Sequence, residues 1–328
     1  MMKKLTLLWT VLLSGYGFSQ QLPQYSQYLR NQYMVNPGAA GVYDFVDLTI
    51  GGRMQWLGFD NAPKTSYIYG SAPLTGTKLS PYNPSIRVSN GPVRNPEVKT
   101  GKLKHALGGQ FIADQYGAYR HLKFALTYAI HLPVSRNYNL SFGTNLGMSN
   151  RLFLSDKAQV MNVITDASYI DPTYDDYIAN SSSMNNMDIG AGLYFYSKNM
   201  FIGFSADQLT RDLVSFGNQT TNFDPGIHMM GTAGVKFPVS ENLTLMPAVL
   251  VKYINPAPVS IDATLQLEYK EWLWCGVSYR NQDAVVAMAG LNINERFKFG
   301  YSFDINTSRI NQYSAGGHEV ILGLMLGR

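Results

Sequence analysis

The 328-residue chain is 45% apolar, rich in Tyr (22) and Phe (16), and carries a net charge of +4 that falls toward zero once the basic pair Lys3 and Lys4 is removed. That balance excludes an electrostatic nucleic-acid binder, and the length allows two ordinary domains or one large barrel. The single cysteine, Cys275, cannot form an internal disulfide and reads as a small apolar residue in a wall.

Met1 to Lys4 is a basic start, Leu5 to Leu13 a short apolar core, and Gly17-Phe18-Ser19 offers a cleavage point before Gln20. The pattern is that of a secretory signal peptide over residues 1–19, too short in its apolar part to span a membrane. No cysteine follows the cleavage point, which argues against a lipid anchor. Beyond it no apolar run approaches the length of a transmembrane helix.

Residues 20–44 are not strand-like. Gln24, Tyr25, Gln27, Tyr28, Gln32 and Tyr33 lead into Asn36-Pro37-Gly38-Ala39-Ala40-Gly41, where proline and glycine punctuate the chain instead of extending a ladder. This segment is expected at a barrel mouth or folded into a lumen. From residue 45 to 328 no compositional break marks a second domain. Strands are expected near Phe45–Leu57, Lys64–Ala72 and His105–Asp114.

The clearest hairpin follows. Leu122, Phe124, Leu126, Tyr128, Ile130 and Leu132 alternate with His121, Lys123, Ala125, Thr127, Ala129 and His131, giving one oily face and one polar or small face. After a turn through Pro133 to Asn137 the pattern resumes with Leu140, Phe142, Leu146 and Met148. A helix would need apolar residues three and four apart, and neither arm has them. Each arm is long enough to cross a bilayer at a tilt. Further strands are expected near Met187–Tyr196, Phe201–Ala206, Met229–Phe237, Leu243–Tyr253, Ile261–Tyr269, Trp272–Arg280, Ala284–Asn292, Phe297–Asp304 and Glu319–Leu326. The total is about fourteen, an even number as in single-chain bacterial barrels. Together with the export signal this predicts an all-β chain: a transmembrane antiparallel β-barrel in the outer membrane, in preference to a periplasmic sandwich.

Tight turns at Pro133–Asn137, Ser197–Asn199, Pro238–Asn242, Lys270-Glu271 and Asn294-Glu295 all follow even-numbered strands. Outer-membrane barrels turn tightly on the periplasmic side. The acidic stretch 150–184, with Asp156, Asp166, Asp171, Asp175 and Asp176, then faces outward, as do 207–228 and 306–317. By the same parity the basic stretch from Pro73 to Lys102, with Lys78, Arg87, Arg94, Lys99 and Lys102, faces the periplasm beside the N-terminal segment.

These residues carry a resemblance. Gln32-Tyr33-Met34-Val35-Asn36-Pro37-Gly38-Ala39-Ala40-Gly41, Arg53-Met54-Gln55-Trp56, Ala62-Pro63 and Ala72-Pro73-Leu74 resemble the N-terminal signature of the PorP/SprF family. Pro247 with Val251-Lys252-Tyr253, Ser278-Tyr279-Arg280, Gly300-Tyr301-Ser302-Phe303-Asp304, and Ser314 with Gly316-Gly317-His318-Glu319 resemble its later blocks. The likeness covers nearly the whole mature chain in order. It implies a non-enzymatic outer-membrane barrel of the type IX secretion system of Bacteroidetes, often linked with gliding adhesins. It also implies two partners: periplasmic ring proteins of the PorK/PorN type, and secreted proteins bearing a type-B C-terminal signal. Gly38 stands where the family often has alanine. The chain closes Leu326-Gly327-Arg328 without the terminal aromatic common in barrels.

Arg53, Lys252, Arg280, Asp262, Glu268, Asp304, His318 and Glu319 lie on or beside polar strand faces and are expected to line the lumen, because charge facing lipid is costly. Three readings stay open for them: a structural network that seats the N-terminal segment, a contact surface for a secreted chain, or the lining of a solute channel. With Asn36, Pro37, Gln55 and Trp56 they make up the candidate site. No zinc-protease pair, nucleophile elbow or phosphate loop occurs. His121 and His131 share one polar face without a serine assigned to them. Asp171, Asp175 and Asp176 lack the ligand spacing of a calcium loop. No enzyme activity, cofactor or metal is expected. The leading function is binding and anchoring of an exported adhesin-type protein; the alternative is a channel for small hydrophobic or polar solutes with the N-terminal segment as plug.

Overall fold

The structure, a computed structural model, describes residues 23–74, 98–158, 172, 183–211, 215–216, 226–255, 257–293 and 296–327. The expected signal peptide, most of the basic stretch with Lys78, Arg87 and Arg94, the turn Asn294-Glu295, and Asp166, Asp171, Asp175 and Asp176 lie outside the described residues.

The strands are β1 Val46–Met54, β2 Lys64–Pro73, β3 Lys104–Tyr116, β4 Tyr119–Pro133, β5 Asn139–Phe153, β6 Ser183–Tyr196 and β7 Met200–Asp207, followed by β8 His228–Val235, which Phe237–Ser240 continues. The second half holds β9 Leu243–Ile254, β10 Ser260–Tyr269, β11 Leu273–Arg280, β12 Ala284–Ile293, β13 Phe297–Asn306 and β14 Gly317–Leu326. Neighbours pair antiparallel, and β1 pairs with β14 from Val46↔Leu326 to Met54↔His318, which closes the sheet into a 14-strand barrel. Two residues, Ser215 and Phe216, pair with β6 off this path. Closure removes the free sheet edge, whose unpaired N–H and C=O groups would each be expensive in hydrocarbon.

Period-two patterning decides which face is wet. On β4 Phe124, Leu126 and Tyr128 are exposed, Leu126 to 59%, while Ala125, Thr127 and Ala129 between them are buried. β5 repeats this with Phe142, Leu146 and Met148 outward and Ser141, Asn145 and Ser149 inward. Apolar side chains thus cover the outside and polar ones the inside, the reverse of a water-soluble protein. No helix among the described residues is long and apolar enough to cross a membrane. Cys275 points outward from β11.

The connections 134–138, 197–199, 241–242 and 270–272 share one end of the barrel, here the lower end. Those at 55–63, 117–118, 281–283 and 307–316 share the upper end. Two tight turns therefore also occur at the upper end, so turn length alone marks the ends less sharply than strand parity does.

Residues 23–45 contain no strand; they run through the inside of the barrel as turns, a short helix α1 at Gln32–Val35 and a 3-10 turn at Pro37–Ala39. Asn36 caps that turn, its Oδ1 accepting from the Gly38 N–H at 2.8 Å. The wall is cut away to admit it: a Cβ on Gly143 would lie 2.4 Å from the Pro37 carbonyl carbon, and one on Gly192 2.1 Å from Asn36 Oδ1. The segment starts at the upper end, where Pro23 and Gln24 sit beside Gln55 and Arg280. It ends at the lower, where Lys104 Nζ donates to the Gly41 and Val42 carbonyls at 3.4 and 3.1 Å.

The sequence leaves both a barrel mouth and a lumen open for this segment and sets the basic stretch beside it; the described residues run from the upper mouth through the inside to the lower end. Among the described residues, Asp44 near its end meets Lys99 of that stretch at 2.7 Å. The reason for the path is geometric: β1 starts at the lower end, while the groups that bind Ser26 sit at the upper ends of their strands.

Placing charge on the oily face should unseat the barrel. Leu126→Arg puts a guanidinium toward lipid near the middle of β4, a penalty of about 2 to 4 kcal/mol. It is expected to lower the yield of the compact, heat-modifiable form on electrophoresis, whereas Leu126→Phe leaves that form intact.

Candidate functional site

The upper lumen is built around Arg53 of β1. Its cross-strand partner on β14 is Glu319, so the wall register alone brings an arginine and a carboxylate together. Arg53 Nη2 meets Asp304 Oδ2 at 2.6 Å and Nη1 meets Oδ1 at 3.2 Å, a two-pronged pair, with Glu319 Oε2 3.6 Å from Nη1. A fork-to-carboxylate pair of this kind combines strength with fixed direction. On the other side Arg280 Nε donates to Asp262 Oδ1 at 2.7 Å, again a registered cross-strand pair. Arg280 Nη1 reaches Asp304 Oδ2 at 3.2 Å and Asp283 Oδ2 at 3.1 Å. Lys252 Nζ lies 3.4 Å from Asp262 Oδ2. Arg53, Asp262, Arg280, Asp304 and Glu319 are all buried.

Ser26 sits at the centre of this network. Its N–H donates to Glu319 Oε2 at 2.6 Å, and its hydroxyl donates to Asp304 Oδ1 at 2.9 Å while accepting from Arg53 Nη1 at 2.5 Å. Tyr67 gives Glu319 Oε1 a further donor at 3.0 Å, and Gln27 Nε2 donates to the Glu319 carbonyl at 3.2 Å. Arg280 Nη2 also donates to the Ser26 hydroxyl at 3.3 Å, so one serine of the threaded segment bonds to charges from four strands, β1, β11, β13 and β14.

Lower down, the segment is held by neutral groups and a second set of ions. Asn31 Nδ2 donates to Tyr67 Oη at 2.8 Å, and the Tyr33 and Thr127 hydroxyls lie 2.8 Å apart. Arg30 stacks over the Trp274 ring at 4.6 Å and faces Glu268 at 3.6 Å. Asn36 Nδ2 donates to the Leu193 and Phe204 carbonyls at 3.0 and 3.2 Å, and Ser205 Oγ donates to the Val35 carbonyl at 2.7 Å. His131 bridges the Ala40 carbonyl, 2.8 Å from Nε2, and the Tyr196 hydroxyl, 2.9 Å from Nδ1. Across the lumen Lys123 bonds Asp207 and lies 3.7 Å from Asp188. His121 and His131 face this interior rather than the lipid-facing rim that an outer-membrane lipase would need.

Of the residues singled out in the sequence, Arg53, Lys252, Arg280, Asp262, Asp304 and Glu319 come together, and Glu268 faces the lumen further down. Gln55 Oε1 accepts from Arg53 Nη2 at 3.4 Å, and Trp56 lies beside it at the mouth. Asn36 and Pro37 sit deeper, against β5 and β6. His318 is the exception: it faces outward, 2.6 Å from the Tyr301 hydroxyl and next to Phe303. Adjacent strand residues point to opposite faces, so His318 and Glu319 cannot both line the lumen. Ser26, Tyr67 and the Lys123–Asp207 pair were not picked out from the sequence. Lys123 was visible as the one cation on the small face of its strand; nothing local marks Ser26.

A family model described as Type IX secretion system membrane protein PorP/SprF matches residues 17–324. No curated protein matches the chain. Among solved structures, a TodX monoaromatic hydrocarbon channel mutant is 9% identical with a TM-score of 0.52, covering 95% of this chain and 97% of that one. Omp33 of Acinetobacter baumannii is 8% identical with a TM-score of 0.45, covering 87% and 99%. The TodX likeness shows the barrel fold alone.

The network makes a graded prediction. Arg53→Met leaves Asp304 and Glu319 buried without their main partner and is expected to destabilise the barrel by about 3 to 5 kcal/mol. Adding Asp304→Asn and Glu319→Gln removes the stranded charge and should recover more than half of that loss. Denaturant unfolding of the refolded barrel in micelles reads both.

Proposed function

The chain belongs to the PorP/SprF family and is an outer-membrane component of type IX secretion, and from that premise we propose that it works as a holder of an exported protein and not as a pore. The observation that carries this reading is Ser26: its amide and hydroxyl are bonded to Glu319, Asp304, Arg53 and Arg280, so the threaded segment is part of the buried ionic network inside the barrel. A channel for solutes needs a clear path, and moving residues 23–45 aside would take Ser26 away from buried charges on four strands.

In this proposal residues 1–19 direct export and are removed, residues 20–44 form the plug, and residues 45–328 form the barrel. Arg53, Lys252, Arg280, Asp304 and Glu319 grip the upper part of the plug, and Asn36 and Pro37 seat its lower part. Gln55 and Trp56 border the mouth. The upper end faces outward and receives a secreted adhesin-type protein with a type-B C-terminal signal. The lower end, with the basic stretch, faces the periplasm and meets ring proteins of the PorK/PorN type. The role is binding and anchoring, with no catalytic step.

Two experiments test this. The purified barrel in planar bilayers is expected to show no large steady current, and its isolation from outer membranes should bring down one large secreted protein together with ring lipoproteins. A large open conductance without such partners overturns the holder. Orientation is tested by cysteine labelling in a Cys275→Ser background. Pro23→Cys should react with a membrane-impermeant maleimide on whole cells and Asn199→Cys should not. The opposite pattern inverts the assigned sides while leaving the threading of the segment intact.

A further inference from the structure

At the upper mouth a cavity of ≈ 330 Å³ lies between the start of the threaded segment and the connections around Trp56, Pro258 and Gln282. We propose that it is a receptor site for an extended polypeptide segment that carries a basic side chain. This rests on the holder reading above and names the place where the held protein is gripped.

The chemistry of the lining selects the ligand. Trp56 and Tyr116 supply aromatic walls, and Pro23, Pro63 and Pro258 add apolar ones that offer no N–H of their own. Gln55, Asn281 and Gln282 bring side-chain amides, each with donors and an acceptor, which suit the alternating N–H and C=O groups of a peptide backbone. The charge at the site is acidic in effect. Among the described lining residues Arg280 is the lone cation, and it is already bonded to Asp262, Asp283 and Asp304. Asp114, buried on the opposite wall, accepts from Thr65 Oγ1 at 2.5 Å, and among the described residues no Lys, Arg or His forms a salt bridge with it. A carboxylate in that position gains from a cation brought by the ligand, and among the described lining residues an incoming anion meets two carboxylates, with the one cation already paired.

Two residues with left-handed backbone border the cavity. Trp56 has φ 51° and Gln282 φ 60°, the left-handed region that bulky residues seldom occupy, and both line the cavity. Holding a tryptophan there is unfavourable, and such strain collects at binding sites. Its effect here is to set the Trp56 backbone at the rim, beside the start of the threaded segment.

The test uses the full mature chain in detergent micelles and two fluorescein-labelled octapeptides, one of alternating valine and arginine, the other with glutamate in place of arginine. Fluorescence anisotropy is expected to show saturable binding of the arginine peptide, weakened by salt, and at least tenfold weaker binding of the glutamate peptide. Asp114→Asn should reduce arginine-peptide affinity at least tenfold while the variant keeps its heat-modifiable mobility. If that variant does not fold, Asp283→Asn is read in its place and should weaken binding severalfold. Equal binding of both peptides, binding of neither, or unchanged affinity in the folded variants overturns the site. Co-purification separates the two claims. An exported partner retained by a variant that no longer binds peptide removes this site and leaves the holder standing. Peptide binding by a wild-type barrel that captures no exported protein supports the site and removes the holder.

Discussion

Arg53, Arg280 and Lys252 bring three positive charges to the upper lumen, and Asp262, Asp304 and Glu319 answer them across the barrel. Charges this deeply buried are tolerable only when every one has a partner and the remaining lone pairs are hydrogen-bonded. Ser26 meets part of that condition from outside the wall, bonding Glu319, Asp304, Arg53 and Arg280. A strand-only barrel would leave Glu319 Oε2 without the amide that now meets it at 2.6 Å. The wall and the threaded segment are therefore one electrostatic unit, and neither reaches its buried state alone.

Several smaller features follow from that unit. Gly143 and Gly192 leave room for the Asn36–Pro37 turn to rest against β5 and β6, where a methyl group would collide. Asn36 both caps the turn and reaches two wall carbonyls, so one side chain fixes local conformation and docking together. Arg30 keeps its charge in the lumen by lying on Trp274 and facing Glu268. The segment begins in the mouth cavity and finishes beside Lys104, so the barrel presents a filled interior and a shaped upper face.

The barrel was legible in the chain because a strand shows its two faces at a period of two. Leu126 against Ala125 and Thr127 is enough to say which side is wet, and fourteen such runs in even number imply closure. The same rule, applied strictly, would have turned His318 away from the lumen, since Glu319 occupies the inward position next to it. Taking both residues of a matching block as one site overrode the alternation. The path of the N-terminal segment through the barrel is illegible for a different reason. Its sequence says that it is neither strand nor long helix, but nothing in Gln24 to Gly41 states the direction in which it crosses the barrel.

By itself the sequence determined the period-two walls, the strand set and the likeness to its family, because each of these is written in residues close together along the chain. Tertiary structure decided that Ser26 meets Asp304, 278 positions away. It also decided that Trp56, Asp114 and Arg280 border one cavity. Such contacts depend on closing β1 onto β14 and on the register of that closure, and a local pattern carries no record of either.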